Sequence, residues 1–213
     1  MKKYELTAEF IEQWGKKLFR IKALISFGSV EAGELGGYVE KEDNLAQDGD
    51  AWVCDNAWVC DNVMVYGNAR VYGNARVCDN ARVCDNVMVC DNARVCDNVM
   101  VCGNAWVCDN VMVYGNARVC GDARVCDNAD YLLIGRIGSR FSFTTFFKNK
   151  DKGITVSCGC FLGTIAEFRA KVSDTHGNNK HAKIYNLAAD MAELQILGEE
   201  HFENLNTNKS EPF

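Results

Sequence analysis

The sequence contains little proline, no long apolar run and little histidine. One proline and 18 glycines in 213 residues exclude the collagen-like and proline-rich classes. No segment approaches the roughly 18 consecutive apolar residues that a membrane helix needs, so we expect no membrane partner. Charged side chains are spread through residues 1–17, unlike the apolar stretch of a secretory signal, which predicts a cytoplasmic protein.

Basic charge is also scarce. The formal net charge is -6, and residues 51–128 contain six arginines and no lysine against nine aspartates. Proteins that bind nucleic-acid backbones carry a surplus of basic side chains. We therefore do not expect nucleic acid as a partner, even though arginines alternate with aromatic residues in this segment.

The segment 51–128 consists of 13 consecutive six-residue units without insertion. Each unit reads Ala or Val, then Trp, Arg or Met, then Val, then Cys or Tyr, and ends in Asp-Asn, Gly-Asn or Gly-Asp. Because side chains alternate along a strand, the first and third residues share one face, and the second and fourth share the other. The closing pair favours a turn. A strand and a corner every six residues predict a triangular coil of three units with a Val and Ala interior.

These units resemble the hexapeptide-repeat signature of left-handed parallel β-helices, as V-C-D-N-A-R and V-Y-G-N-A-R show. The stretch VEAGELGGYVEKEDNLAQ is similar to the lead-in of YdcK-like hexapeptide proteins of bacteria and phages. The resemblance implies a mainly β protein, a left-handed parallel β-helix with an N-terminal cap and a small C-terminal α+β domain. The left hand comes from the resemblance and not from the period.

We divide the chain into a cap and first irregular coil (1–50), the repeat β-helix (51–129), an α+β domain (130–197) and a flexible tail (198–213). Val39 and Leu45 are expected to point into the first coil. In the third segment, three strand-like runs precede a helix capped by Thr164 and Glu167, and a second helix follows from about Lys180, a β-β-β-α-α order. The motifs IGSR, TTFF, CGCF and THG-x-N-K-H-A resemble those that accompany YdcK-like repeats in phage and bacterial proteins.

Residues on the outer faces recur every 18 positions and are predicted to stack. Ten stacked cysteines could form disulfides between coils, hold a soft metal, or serve only as small, weakly polar residues of the repeat. Contiguous apolar surface of this kind marks protein contact. We therefore expect a homo-oligomer, a dimer or trimer, and a partner face built from the aromatic residues Trp52, Trp58, Trp106, Tyr66, Tyr72 and Tyr114.

The candidate ligand residues lie in the C-terminal segment. A Gly-Ser-Arg loop and a glycine-preceded helix start could bind phosphate or carboxylate, and a cluster between the two helices could receive an acidic ligand. Ordinary turn and capping geometry is the alternative for all of them. The predicted set is Ser139, Arg140, Gly163, Thr164, His176, Lys180 and His181.

The same segment contains weak candidates for zinc. Cys158 and Cys160 precede His176 and His181 at a spacing that permits a zinc site. The alternative is a buried thiol beside loop histidines. We expect no cofactor.

Two functions remain open at the level of sequence. The resemblance to hexapeptide proteins implies acyl transfer from acyl-CoA as one of them, but none of the three histidines lies in the repeats. We therefore favour a non-catalytic binding protein with no catalytic residues. Its C-terminal module would bind a nucleotide-like anion or a protein, and its phage association would point to interference with a host system.

Overall fold

A computed structural model describes residues 2–199, which form two compact units. The first comprises residues 2–122 and 126–128, and the second comprises residues 123–125 and 129–199. No helix among these residues is long and apolar enough to cross a membrane. Nearly all of the predicted tail, including His201, lies outside the described residues.

The described chain begins with three strands, β1 (Tyr4–Gln13), β2 (Lys16–Ala23) and β3 (Leu35–Val39). Thirteen strands of two residues each then follow along the repeats. They are β4 (Trp52–Val53), β5 (Trp58–Val59), β6 (Met64–Val65), β7 (Arg70–Val71), β8 (Arg76–Val77), β9 (Arg82–Val83), β10 (Met88–Val89), β11 (Arg94–Val95), β12 (Met100–Val101), β13 (Trp106–Val107), β14 (Met112–Val113), β15 (Arg118–Val119) and β16 (Arg124–Val125).

Strands that are three six-residue repeats apart pair in parallel, so that the valine of one coil lies over the valine of the preceding coil. Val89, for example, is paired with Val71 on one side and Val107 on the other. The first unit thus contains three sheets, in the orders β1-β2-β3-β5-β8-β11-β14, β4-β7-β10-β13 and β6-β9-β12-β15. The predicted fold class is confirmed as mainly β with a parallel solenoid, and its left hand stays a prediction from the resemblance.

The interior of the repeats consists of valine and alanine, as the alternation predicts. All 13 third-position valines have 0% of their surface exposed, and first-position residues are at most 1% exposed. Val39 and Leu45 are also buried, and they lie in register with Val59 and Val65. These two residues therefore form the inside of the first coil, as expected.

The corners lie at the Asp-Asn and Gly-Asn pairs, because the fifth residue of a unit adopts a left-handed backbone. Asp79 and Asp97 have φ of 64°, and Gly73 has φ of 69°. Aspartate and glycine are among the residues that reach this region at little cost. At Gly73 a Cβ atom would lie 2.9 Å from the backbone nitrogen of Asp91, so stacking also leaves little room there.

The polar corner side chains bind the next coil. The Asn80 amide donates to Asn98 over 3.3 Å, and the backbone amide of Gly115 donates to the Asp97 carboxylate over 2.8 Å. Comparable bonds recur at a separation of 18 residues. Each corner therefore turns the chain and also bonds to an equivalent corner, which explains why the fifth residue of a unit is Asp or Gly and the sixth is Asn or Asp.

The N-terminal hairpin covers two tryptophans that the sequence placed on an exposed partner face. Trp52 is 0% exposed and packs edge-on against Tyr4 and Phe27, with ring centroids 6.1 and 5.4 Å apart. Trp58 is 4% exposed and packs against Trp14. The expectation of an exposed face was wrong for these two residues, because the chain itself covers them.

The second unit contains an antiparallel sheet in the order β17-β18-β19-β20, followed by two helices. The strands are β17 (Tyr131–Ile137), β18 (Ser142–Lys148), β19 (Ile154–Cys158) and β20 (Phe161–Thr164), and the helices are α1 (Ile165–His176) and α2 (Lys180–Leu197). The short β20 was missing from the predicted β-β-β-α-α order. Its four residues, two of them Gly and Thr, carry no run of β-branched or aromatic residues that would indicate a strand.

Both helices contribute to one core with the sheet. Phe146, Val156, Phe168, Tyr185 and Ala189 are among its buried residues. A charged contact also joins the helices, because the Arg169 guanidinium donates to Asp190 over 2.7 Å and to the largely buried Glu193 over 2.6 Å.

The interior predicts a clear contrast between neighbouring residues of one strand. Val95→Ala removes two buried methyl groups and should lower the free energy of unfolding by about 2 kcal/mol. The preceding residue Arg94 is exposed, and Arg94→Ala should change stability by less than about 0.5 kcal/mol. Urea unfolding followed by circular dichroism measures both, and equal losses would contradict the assigned inside and outside.

Candidate functional site

The second unit contains a cavity of about 220 Å³. Its walls come from the β17–β18 turn at Ser139 and Arg140, the β19–β20 turn at Gly159 and Cys160, and the inner side of α1. Three aromatic side chains complete the wall, Phe161, Phe168 and Tyr185. Two hairpin turns and one helix thus enclose an aromatic-walled site within a single folding unit.

The charged side chains that line this cavity are basic. Arg140, Lys171 and His176 line it, and within residues 2–199 no aspartate or glutamate is among its lining residues. Within residues 2–199, neither Arg140 nor Lys171 lies in an ion pair with a carboxylate. A pair of cations that lacks an internal partner is suited to an anionic ligand.

Close packing at Gly138 holds the Tyr185 side chain against the β17–β18 turn. Gly138 has φ of 72°, and a Cβ atom there would lie 1.8 Å from the Tyr185 hydroxyl oxygen. Burial and, next to it, the neighbouring Cys158 raise the pKa of Tyr185 to about 12, and Arg140 opposes part of this rise. The tyrosine is therefore a neutral hydrogen-bonding group across the neutral pH range.

Cys158 lies between hydroxyl groups at the base of the cavity. The Thr144 hydroxyl donates a hydrogen bond to its sulfur over 3.2 Å, and Cys158 is also close enough to Tyr185 to raise the pKa of that hydroxyl. The ring of His176 stacks on Tyr185 at 5.8 Å between centroids. These contacts give the base of the cavity a fixed set of polar groups.

The structure brings together three of the seven predicted ligand residues. Ser139, Arg140 and His176 line the cavity. Lys180 is exposed and does not line the cavity. His181 contacts the cavity-lining residue His176, with 5.8 Å between the centroids of the two rings. The Nδ1 atom of His181 is buried and has no hydrogen-bond partner among residues 2–199.

The predicted anion site at the start of α1 is wrong. The Glu167 carboxylate accepts hydrogen bonds from the backbone amide of Thr164 over 2.8 Å and from its hydroxyl over 2.9 Å. At Gly163 a Cβ atom would lie 2.8 Å from the same carboxylate. The capping box that the sequence predicted thus places a negative charge where Gly163 and Thr164 were expected to bind an anion.

The weak zinc candidates do not converge. Among residues 2–199, no three of Cys158, Cys160, His176 and His181 have ligand atoms within 4.8 Å of one another. Cys160 is exposed at the tip of the β19–β20 turn, whereas the Cys158 side chain is partly buried behind it. The short C-G-C spacing directs the two sulfurs apart because it spans a hairpin turn.

Sequence reasoning missed Lys171 and Tyr185. Tyr185 belongs to the core between α2 and the sheet, and it also lines the cavity. Lys171 follows the buried Phe168 by three residues, so the helical period places both on one face. The helical period could therefore have identified Lys171. No pattern in the sequence indicates the contact of Tyr185 with Gly138.

The remaining aromatic residues of the expected partner face differ in exposure. Trp106 is 43% exposed and Tyr114 is 52% exposed. Tyr66 and Tyr72 are half-buried, and Cys84 and Cys90 of the next coil are among the groups that raise their pKa values.

The stacked cysteines are more buried than an outer face suggests. Two pairs form disulfides between coils, Cys102–Cys120 and Cys108–Cys126, with Cα atoms 4.7 and 4.6 Å apart. Cys60, Cys78, Cys84 and Cys90 are free and buried, and burial raises the pKa of each thiol. The cysteines stack at a spacing of 18 residues in three columns, which we call ladders. Two of the three ladders therefore contain one of the disulfides that this spacing allows.

Comparison with known families agrees with the repeat architecture. A family model described as the YdcK Beta solenoid repeat matches residues 57–73, 69–81, 93–109 and 105–121. These matched residues are therefore similar to the YdcK β-solenoid repeat, which supports a parallel β-solenoid in this part of the chain. No curated protein matches the chain.

The contact between Gly138 and Tyr185 can be separated from backbone strain. Gly138→Ala introduces both a clash and a left-handed alanine, and should cost about 3 kcal/mol of unfolding free energy. Gly121 has φ of 69° but nothing within 4 Å of the added Cβ, and equivalent corners accept Asp, so Gly121→Ala should cost only about 1 kcal/mol. Guanidinium unfolding measures both variants, and equal losses would refute the close packing at Gly138.

Proposed function

We propose that this protein is a non-catalytic binding protein whose C-terminal cavity takes a small anionic ligand of nucleotide type. The observation that carries the proposal is the convergence of two unpaired cations and an imidazole on one aromatic-walled cavity. Arg140 and Lys171 would bind phosphate, and Phe161, Phe168 and Tyr185 would contact the apolar part of the ligand.

The size of the cavity limits the ligand. At about 220 Å³ it is smaller than the ~300–1,000 Å³ of typical ligand pockets. A mononucleotide or a smaller phosphate ester therefore fits better than a dinucleotide or an acyl-CoA. The neutral Tyr185 hydroxyl adds a donor that would favour an oxygen-rich ligand.

In this proposal the solenoid is a rigid body that also assembles the protein into a homo-oligomer. Trp106 and Tyr114 support this role, since both are large aromatic side chains about half exposed. The resemblance of the C-terminal motifs to those of phage proteins adds a finer proposal, that ligand capture interferes with a host signal or protein.

Isothermal titration calorimetry with AMP and GMP tests the ligand class, with adenosine and guanosine as uncharged controls. The nucleotides should bind and the nucleosides should bind at least tenfold more weakly, because the phosphate contacts are lost. Arg140→Gln should weaken nucleotide binding by at least tenfold. Lys183→Gln, which removes an exposed charge of α2 outside the cavity, should leave it unchanged.

The same samples distinguish binding from catalysis. Nucleotide recovered from the complex should be chemically unaltered, and acetyl-CoA should be neither bound nor consumed. Turnover of acetyl-CoA that is lost in His176→Ala would replace the proposal with the acyltransferase alternative. Equal binding of nucleotide and nucleoside would refute the roles of Arg140 and Lys171.

Sedimentation velocity tests the oligomer. The wild-type protein should sediment as a dimer or trimer, and Trp106→Glu should shift it toward monomer because a charge would be buried at the contact. Trp58→Glu is expected to destabilise the first unit instead, since Trp58 lies beneath Trp14. A monomeric wild-type protein would contradict the proposed assembly.

A further inference from the structure

The third cysteine ladder, Cys60, Cys78 and Cys96, differs from the two that contain disulfides. Its three thiols are free, and they pack in one apolar cluster with Leu18 and Ile11 of the N-terminal hairpin. Cys60 is 1% exposed and Cys78 is 9% exposed. Cys60 and Cys78 are therefore shielded from solvent, and Cys96 at the end of the column is partly exposed.

A carboxylate lies beside each step of the column. The sulfurs of Cys78 and Cys96 and a carboxylate oxygen of Asp79 all lie within 4.8 Å of one another. One coil below, Glu40, Cys60 and Asp61 form a second group, which has one sulfur and two carboxylates. Two sulfurs and an oxygen at these separations can reach a common ion about 2.0–2.3 Å from each ligand with only small rotations of the side chains.

The two groups differ in whether a basic side chain forms an ion pair with their aspartate. Asp61 in the lower group already accepts a hydrogen bond from the Lys16 ammonium, which forms an ion pair with it. Among residues 2–199, no lysine, arginine or histidine forms an ion pair with Asp79. Among residues 2–199, the Asp79 carboxylate of the upper group is thus not neutralised by an ion pair, and the two thiols beside it are protonated until a metal displaces their protons.

We propose that Cys78, Asp79 and Cys96 bind one soft divalent cation of the zinc and cadmium class, with the fourth position left to water. Binding forms two metal–sulfur bonds and one metal–oxygen bond, and the two thiol protons pass to solvent. Thiolate ligands select soft metals over magnesium and calcium. The apolar cover by Leu18 and Ile11 limits competition from water.

Cadmium titration tests the site in protein purified with both disulfides intact. Thiol counting after unfolding should first give eight free thiols, the number that remains when four of the 12 cysteines are bridged. Cadmium should then bind once per chain and produce a thiolate-to-cadmium charge-transfer band in the ultraviolet. A disulfide between Cys78 and Cys96, found by peptide mapping of protein that gives six thiols, or an unchanged spectrum would overturn the proposal.

Two matched variants locate the ion. Asp79→Asn should weaken cadmium binding at least tenfold and leave the fold intact, because asparagine also tolerates the left-handed backbone of that corner. Asp85→Asn changes an equivalent corner and should have no effect, since Cys102 above it is bridged to Cys120. Equal cadmium affinity in the Asp79 and Asp85 variants would overturn the assigned oxygen ligand.

A double substitution tests the sulfur ligands. Cys78→Ser with Cys96→Ser should abolish the charge-transfer band while circular dichroism stays that of the wild-type protein. Cys158→Ser with Cys160→Ser removes two free thiols from the second unit and should preserve the band. Loss of the band in the second pair alone would place the metal elsewhere and overturn the proposal.

Discussion

Burial of valine against valine along the coil axis is the constraint on which the first unit depends. Each third-position valine must lie in register with the valine 18 residues away, as Val71 does with Val89. A strand of two residues is too short to be stable by itself, so its stability comes from stacking. An insertion of one residue would move every following side chain to the opposite face, which explains why the 13 units contain none.

Stacking in register also determines what the remaining positions can do. It places like residues of successive coils about 4.8 Å apart, so that asparagines bond to asparagines and cysteines lie over cysteines. The same geometry yields disulfides in two ladders and a free thiol column in the third. Reactive groups on the outside of this solenoid therefore occur as columns of stacked residues rather than as single residues.

The second unit follows a different principle, since its cavity depends on contacts between elements distant in sequence. Gly138 lies in a turn between strands and Tyr185 lies in the middle of α2, yet the tyrosine hydroxyl occupies the space that a side chain at residue 138 would fill. Arg140 and Lys171 likewise come from a hairpin turn and a helix. No periodicity relates these positions, and their shared site is a result of packing.

The repeat, the inward valines, the corners and both helices of the second unit follow from sequence alone, because each rests on a local period or on the Thr164–Glu167 capping pair. Local signals also explain what was missed: β20 has no strand-like composition, and the capping box that identified α1 excluded an anion from its start. Only tertiary structure decided that Trp52 and Trp58 are covered and that Arg140, Lys171 and Tyr185 face one cavity. A period determines which side of a strand a residue occupies, but the element that packs against that side is chosen by contacts far along the chain.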